Sequence, residues 1–293
     1  YTSGVKLFWL DNDEPDINPW HPENLRFFLG NGIEVANIYP LLHQRGFYEG
    51  LKNSGETEIL TLSRSGWAGS QRYGAVWSGD IESTFESLQA QVRAGLNVGM
   101  SGIPWWTTDI GGFYGGDITT DYFRELIVRW FQYGVFCPIL RLHGYRSPIS
   151  EPLPRSGAEN EVWSFGEDVY KILRDLLALR ERLRPYIHEL PQIASDRGLP
   201  LLRPLFLEYP DDPLCEAIDD QFMLGPDLLV APVLYEGVRQ RRVYLPAGTN
   251  WVDARNGKEY PGGQSIDVAA PLPTIPVFHK SGSRLTSIFH HGQ

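Results

Sequence analysis

The chain reads as an α/β protein: part of a (β/α)8 barrel over residues 1–198, then a small antiparallel β-sandwich over residues 199–285. Three observations predict this. Short apolar runs alternate with amphipathic stretches through the first two thirds, which is the pattern of parallel βα units. A long amphipathic stretch, Phe165–Ile193, closes that region. From Leu199 onward the runs shorten and are punctuated by Pro-Asp-Asp-Pro, Pro-Ala-Gly-Thr-Asn and Pro-Gly-Gly, as in a sheet with tight turns.

The elements follow in order. Barrel strands are expected at Lys6–Leu10, Glu58–Leu62, Gly74–Trp77, Gly99–Trp105 and Phe136–Leu140. Helices are expected between them. Asn31–Leu51 has apolar residues at Ile33, Ile38, Leu41, Leu42 and Phe47. Ile81–Ala94 follows an Asp-Ile-Glu entry, and Tyr122–Tyr133 is entered through Thr119-Thr120-Asp121, a good N-cap cluster. Pro185 is expected to bend or break the long helix. Sandwich strands are expected at Leu201–Phe206, Leu228–Val233, Arg242–Leu245 and Thr274–Phe278. Residues 286–293 read as a patternless tail, with His290-His291 part of it rather than a metal pair.

Composition narrows the function classes. A chain of 293 residues with 42% hydrophobic and 13% aromatic content can bury one large core or two smaller ones. A net charge of −10 without a basic cluster argues against nucleic acid and anionic membranes as partners. No apolar run is long enough to span a bilayer. Cys137 and Cys215 lie in different expected domains without metal-ligand spacing and read as free, buried thiols. No H-x-x-x-H or clustered His/Asp set calls for a metal, and no cofactor is called for. A homo-oligomer remains compatible with the pattern. No signal peptide stands at the start, which falls almost on the first strand; a targeting segment would lie outside the chain, and no compartment is assigned.

Two segments carry the chemistry. Phe8 to Asp16 read F-W-L-D-N-D-E-P-D, and Ser63 to Asp80 read S-R-S-G-W-A-G-S-Q-R-Y-G-A-V-W-S-G-D. Each delivers an Asp to the end of an apolar run, where a parallel barrel keeps its reacting groups. Either Asp alone could be a strand-end cap or a surface turn. Two carboxylates from different strands are the minimum equipment for retaining glycoside hydrolysis.

Two further segments stand in order: P-W-W-T-T-D-I-G-G-F from Pro104 to Phe113, and C-P-I-L-R-L-H-G from Cys137 to Gly144. With these four motifs the chain resembles glycoside hydrolase family 31, the retaining α-glucosidases and α-xylosidases. The wording W-L-D-x-x-E-P-D with a later R-L-H-G looks most like the bacterial α-xylosidase branch. The resemblance implies a TIM-type barrel of which this chain holds about strands four to eight, followed by a β domain that usually does no chemistry. Five strands fall short of the eight, in typically ~250 residues, that close such a barrel. They would also leave two open apolar edges. The expectation is therefore a piece of a longer protein whose N-terminal portion is missing, or whose other half lies on another chain; the piece alone is expected to be inactive or nearly so.

By the resemblance, Asp11 is the nucleophile and Asp80 the acid/base. Asp109 and His143 would read sugar hydroxyls, as would suit an exo-acting enzyme on α-xylosides, α-glucosides or oligosaccharides. Asp13, Glu14 and Asp16 compete with Asp11 in the same turn, and Asp11 is preferred because it directly follows the strand. Glu14 and Arg141 are expected to stand behind these groups. Arg64 reads as a cation within the site, with a structural salt bridge as its alternative. Trp67, Trp77, Trp105 and Trp106 are candidate pocket walls, and Trp105 is the one expected to belong to ordinary core. The competing readings are a sugar-binding module without catalysis, which would lack one of the two carboxylates, and transglycosylation with the same residues.

Overall fold

A computed structural model describes residues 4–5, 7–14, 21–149 and 157–290. Lys6, Pro15, Asp16 and His291 therefore lie outside the described residues. Four short strands form a parallel sheet in chain order: β1 (Phe8–Leu10), β2 (Thr61–Ser63), β3 (Ala75–Trp77) and β4 (Trp106–Thr107). Helix α1 (Tyr39–Asn53) crosses between β1 and β2, and α2 (Phe85–Met100) between β3 and β4. Helix α3 (Asp121–Gly134) follows β4. Thr84 and Thr120 cap α2 and α3 by accepting from the backbone N–H groups of Ser87 and Phe123.

Side chains alternate across these strands with the period of two that extended backbone imposes. Phe8 turns outward onto Phe47 of α1, ring centroids 5.6 Å apart, while Trp9 turns inward to Trp77 at 5.6 Å. Val76 and Trp106 belong to the core shared with the helices.

Two strand expectations fail for physical reasons. The strand expected over Gly99–Trp105 begins only at Trp106, because α2 runs on to Met100. Its glycines do not end the helix; they allow close approach. A Cβ at Gly99 would meet Pro200 Cβ at 2.9 Å, and one at Gly95 would meet Trp106 Nε1 and Tyr133 Oη at 2.8 Å each. The segment Phe136–Leu140 joins no ladder, although the Ile139 N–H donates to Trp106 O at 3.3 Å. Two of its carbonyls and the one just before it are taken instead by a guanidinium: Arg180 donates to Cys137 O, Pro138 O and Val135 O at 2.6, 2.9 and 2.7 Å.

Helix α4 (Glu167–Arg197) carries that arginine and runs unbroken through Pro185 and Pro191. An interior proline costs ~3 kcal/mol. Leu183, Tyr186, Ile187 and Leu190 are buried on this stretch, and the Tyr186 hydroxyl donates to Leu224 O at 2.7 Å. Packing on the next domain outweighs the local preference.

That domain comprises β5 (Leu202–Arg203), β6 (Phe222–Leu224), β7 (Leu228–Val230), β8 (Gln240–Leu245), β9 (Asn250–Asp253), β10 (Glu259–Pro261), β11 (Gln264–Ala269) and β12 (Val277–Lys280). Six strands form one antiparallel sheet in the order β10-β9-β12-β7-β6-β5, and β8 pairs with β11. Its central strands β6 and β7 are buried on both faces. Phe222, Leu224, Leu228 and Val230 join the barrel-side core, whereas Met223, Leu229 and Phe278 pack with Val243 and Leu245 of β8. Leu205–Glu208 is a short helix where a strand was expected, started by Pro204. The segment read as a tail opens with helix α5 (Leu285–His290).

Gly95→Ala measures how close α2 sits. Alanine gains up to ~1 kcal/mol of helix propensity, but its Cβ overpacks Trp106 and Tyr133 at a cost of ~1–3 kcal/mol. The overpacking term wins, so the expected result is a lower midpoint of thermal unfolding. An unchanged or higher midpoint would contradict the packing described.

Candidate active site

The acidic turn after β1 sends its carboxylates to different places. Asp11 directly follows the strand with its side chain 43% exposed. Asn12 takes φ 55, the left-handed region that Asn tolerates, and reverses the chain. Asp13 is consequently buried, 1% exposed. It accepts from the Ser63 hydroxyl, from Ser65 N at 3.2 Å and from Ser65 Oγ at 3.3 Å, with His43 Nδ1 at 3.6 Å. Burial pushes its carboxyl pKa up, against the Ser63 bond. Asp13 fastens the turn to β2.

Glu14 holds a cation. Arg64, just past β2, donates Nε and Nη2 to the two Glu14 oxygens at 2.8 Å each, and its Nη1 lies 3.2 Å from Asp11 Oδ1. Burial opposes ionisation of Glu14, but the Arg64 bonds hold it below the ordinary carboxylate range. Those same bonds push the Arg64 pKa up, with Asp11 and Asp80 adding to the effect. Asp80 stands after β3 on the Ser78-Gly79 turn, where Gly79 takes φ 75, and is exposed. The Tyr114 hydroxyl lies 3.4 Å from its Oδ2.

Asp109 follows β4 and is fully buried, in an ion pair with Arg141. Its Oδ2 has no hydrogen-bond partner among the described residues. Burial raises the Asp109 pKa from 3.8 to about 6, with Arg141 opposing and Asp80 assisting. Arg141 also lies over the rings of Trp9 and Trp77, 5.4 Å from each centroid. His143 stacks on Phe113 at 5.5 Å and meets Trp9 edge-on at 5.0 Å. Burial, then the charges of Arg141 and Arg146, lower its pKa to about 4, so the imidazole is neutral near pH 7.

The structure thus brings Asp11, Asp80, Arg64, Glu14, Asp109, Arg141, His143 and Trp77 into one neighbourhood. Trp67 and Trp106 stand apart. Trp67 is 47% exposed on the loop after β2, and among the described residues its ring meets none of the site's rings. Trp106, expected as a wall, is 4% exposed and packs outward against Gly95 and Tyr133. The register shift of β4 turned it to the helix side. Trp105, expected as core, packs against the core while partly buried, and borders a surface recess with Tyr48 and Tyr73. The aromatic that sequence reasoning overlooked is Trp9, half-exposed between His143 and Trp77. Its position two residues before Asp11, with an inward-facing side chain, was the available signal. Among the described residues no cluster of His, Cys, Asp or Glu could hold a metal ion.

Asp109 gives a pH prediction. Because the folded state raises its pKa, the folded state binds the proton more tightly than the unfolded state does. Its contribution is fully favourable below pH 3.8 and is lost as pH rises through about 6. The difference corresponds to roughly 3 kcal/mol at neutral pH. Asp109→Asn removes this penalty, so its midpoint of unfolding, relative to the parent, should be higher at pH 7 than at pH 4. A difference between variant and parent that is the same at both pH values would refute the assignment.

Known proteins share this fold. The profile of the glycosyl hydrolases family 31 TIM-barrel domain matches residues 1–190, and that of the family's C-terminal domain matches residues 198–285. An alpha-xylosidase from Saccharolobus solfataricus is 38% identical over 97% of the chain and 38% of its own length. Alpha-glucosidase 2 from Bacillus thermoamyloliquefaciens is 34% identical over 96% of the chain and 35% of its own length. The crystal structure of an alpha-xylosidase of the family from a soil metagenome, complexed with xylose, superposes with a TM-score of 0.96 at 51% identity, covering 99% of this chain and 44% of that one. The chain thus spans less than half the length of these relatives. On two ordered domain matches and a common arrangement of strands, it belongs to glycoside hydrolase family 31.

Proposed function

We propose that the protein containing this chain cleaves terminal α-linked sugars with retention of configuration, using Asp11 as nucleophile and Asp80 as acid/base. The observation that carries this reading is the pair of solvent-facing carboxylates at the ends of β1 and β3, with Arg64 beside them. Asp11 attacks the anomeric carbon while Asp80 gives a proton to the departing oxygen. The glycosyl-Asp11 ester then breaks as Asp80 takes a proton from water. Arg64 stands 3.2 Å from Asp11 and is itself fixed by Glu14. Arg141, held in place by buried Asp109, and the neutral His143 supply donors and acceptors for sugar hydroxyls, with half-exposed Trp9, backed by buried Trp77, as an aromatic wall.

An α-xylosyl unit is the proposed substrate. The W-L-D-x-x-E-P-D and R-L-H-G wording supports it, as do the alpha-xylosidases at 38% and 51% identity. Proton NMR of the first-formed sugar tests the mechanism: α-xylose should appear before mutarotation, and β-xylose would refute retention. Comparing nitrophenyl α-xyloside with α-glucoside tests the sugar. Excluding the glucose hydroxymethyl by overpacking should favour the xyloside by roughly ten- to a hundred-fold in kcat/KM. Equal or better rates on the glucoside would overturn the xylose assignment and leave the mechanism standing.

A further inference from the structure

We infer that Arg146 is a positioning residue of this site, its guanidinium clamping the loop that follows Asp109 to the loop that carries His143. The inference rests on the glycosidase reading for its purpose, but its geometry stands apart from it. Arg146 is fully buried. Nη1 donates to Gly112 O at 2.6 Å, and Nη2 donates to Ile110 O at 2.9 Å and to His143 O at 3.2 Å. Nη1 also reaches Ser83 Oγ, three residues beyond Asp80, at 3.4 Å, and Nε donates to Asn160 Oδ1 at 2.8 Å. One planar fork therefore touches the loops behind three of the proposed site residues.

The surroundings are shaped for that fork. Its central carbon lies 4.9 Å from the Phe123 ring centroid. A Cβ at Gly144 would lie 2.5 Å from the guanidinium carbon, and one at Gly111 or Gly116 would lie 3.0 Å from its nitrogens. Burial lowers the Arg146 pKa to about 10, so the group remains charged near neutrality. A hydrocarbon filler would occupy the volume and leave the three loop carbonyls without their donor. Lysine would keep the charge but lose the fork that reaches both loops together.

The test separates positioning from mere packing. In the longer protein that contains this chain, Arg146→Lys, Arg146→Met and Arg146→Ala are compared with the parent for D-xylose affinity and for the NMR titration of His143, assigned with His143→Asn. The charged groups acting on that imidazole are Arg141, Arg146 and Asp11. The expected result for Arg146→Met is a His143 titration above the parent's about 4, with D-xylose binding weakened about tenfold or more. Arg146→Lys should keep the low titration yet still bind D-xylose more weakly. Millimolar guanidinium chloride, but not sodium chloride, should restore affinity to Arg146→Ala. Variants that unfold at lower temperature while keeping the parent's D-xylose affinity and His143 titration would overturn the inference. Should Arg146→Met fail to fold, unchanged affinity in Arg146→Lys would overturn it. A parent that binds no D-xylose would sink the glycosidase reading alone; the His143 titration would still decide the clamp, and an unmoved value in Arg146→Met would overturn it.

Discussion

Asp11→Ala is expected to reduce turnover of every α-glycoside on the order of ten-thousand-fold or more, because no other carboxylate among the described residues is placed to form the covalent ester. Of its rivals in the turn, two lie among the described residues, and their surroundings disqualify them. Asp13 is buried and committed to Ser63 and Ser65, so it cannot approach a substrate. Glu14 is committed through both of its oxygens to Nε and Nη2 of Arg64. Asp13→Asn should therefore act mainly on stability, at ~1–3 kcal/mol for disturbing a buried hydrogen-bonded group, with measurable turnover remaining. Glu14→Gln should fall between, since it loosens Arg64 and lets that cation draw more tightly onto Asp11. Steady-state rates for the three variants, measured beside thermal midpoints, check this ranking. Appreciable activity in Asp11→Ala with none in Asp13→Asn would show that the nucleophile had been assigned to the wrong residue.

The order of difficulty in that turn mirrors what the sequence can express. The placement of Asp11 and Asp80 just past strands was legible because each closes an apolar run, and the C-terminal ends of parallel strands are where such a barrel opens. Arg64 was legible as a cation, and Glu14 as the group behind it, but their bidentate pairing depends on Asn12 reversing the chain. Trp106 was misread for a different reason. Its side depends on register, and register depended on how far α2 continues; buried Gly95 and Gly99 carry the helix on by close packing that propensity does not contain. The missing ladder at Phe136–Leu140 has a similar origin, because Arg180 approaches from a helix more than forty residues away and captures two of its carbonyls. The β domain was legible as a class from its turns. Its strands Phe222–Leu224 and Gln264–Ala269 were not, since the first is buried on both faces and the second is largely exposed.

Asp80→Ala should behave unlike Asp11→Ala, and the contrast carries the mechanism. A general acid contributes roughly a hundred- to ten-thousand-fold where the departing oxygen needs its proton. A sugar leaving group needs it; a nitrophenolate, already a stable anion, does not. The variant should therefore lose nearly all activity on an oligosaccharide while still forming the Asp11 ester from a nitrophenyl glycoside. Breakdown of that ester then becomes slow, because water must attack without a base. Azide needs no deprotonation, so adding it should accelerate turnover and release an α-glycosyl azide, the product of two successive inversions. The site accommodates such an anion: Asp80 is exposed, and its removal leaves Arg64 and the Tyr114 hydroxyl nearby. Product analysis by NMR decides between mechanisms. A β-azide would mean direct displacement in a single inversion. Equal losses on good and poor leaving groups, without azide rescue, would remove Asp80 from the proton-transfer role.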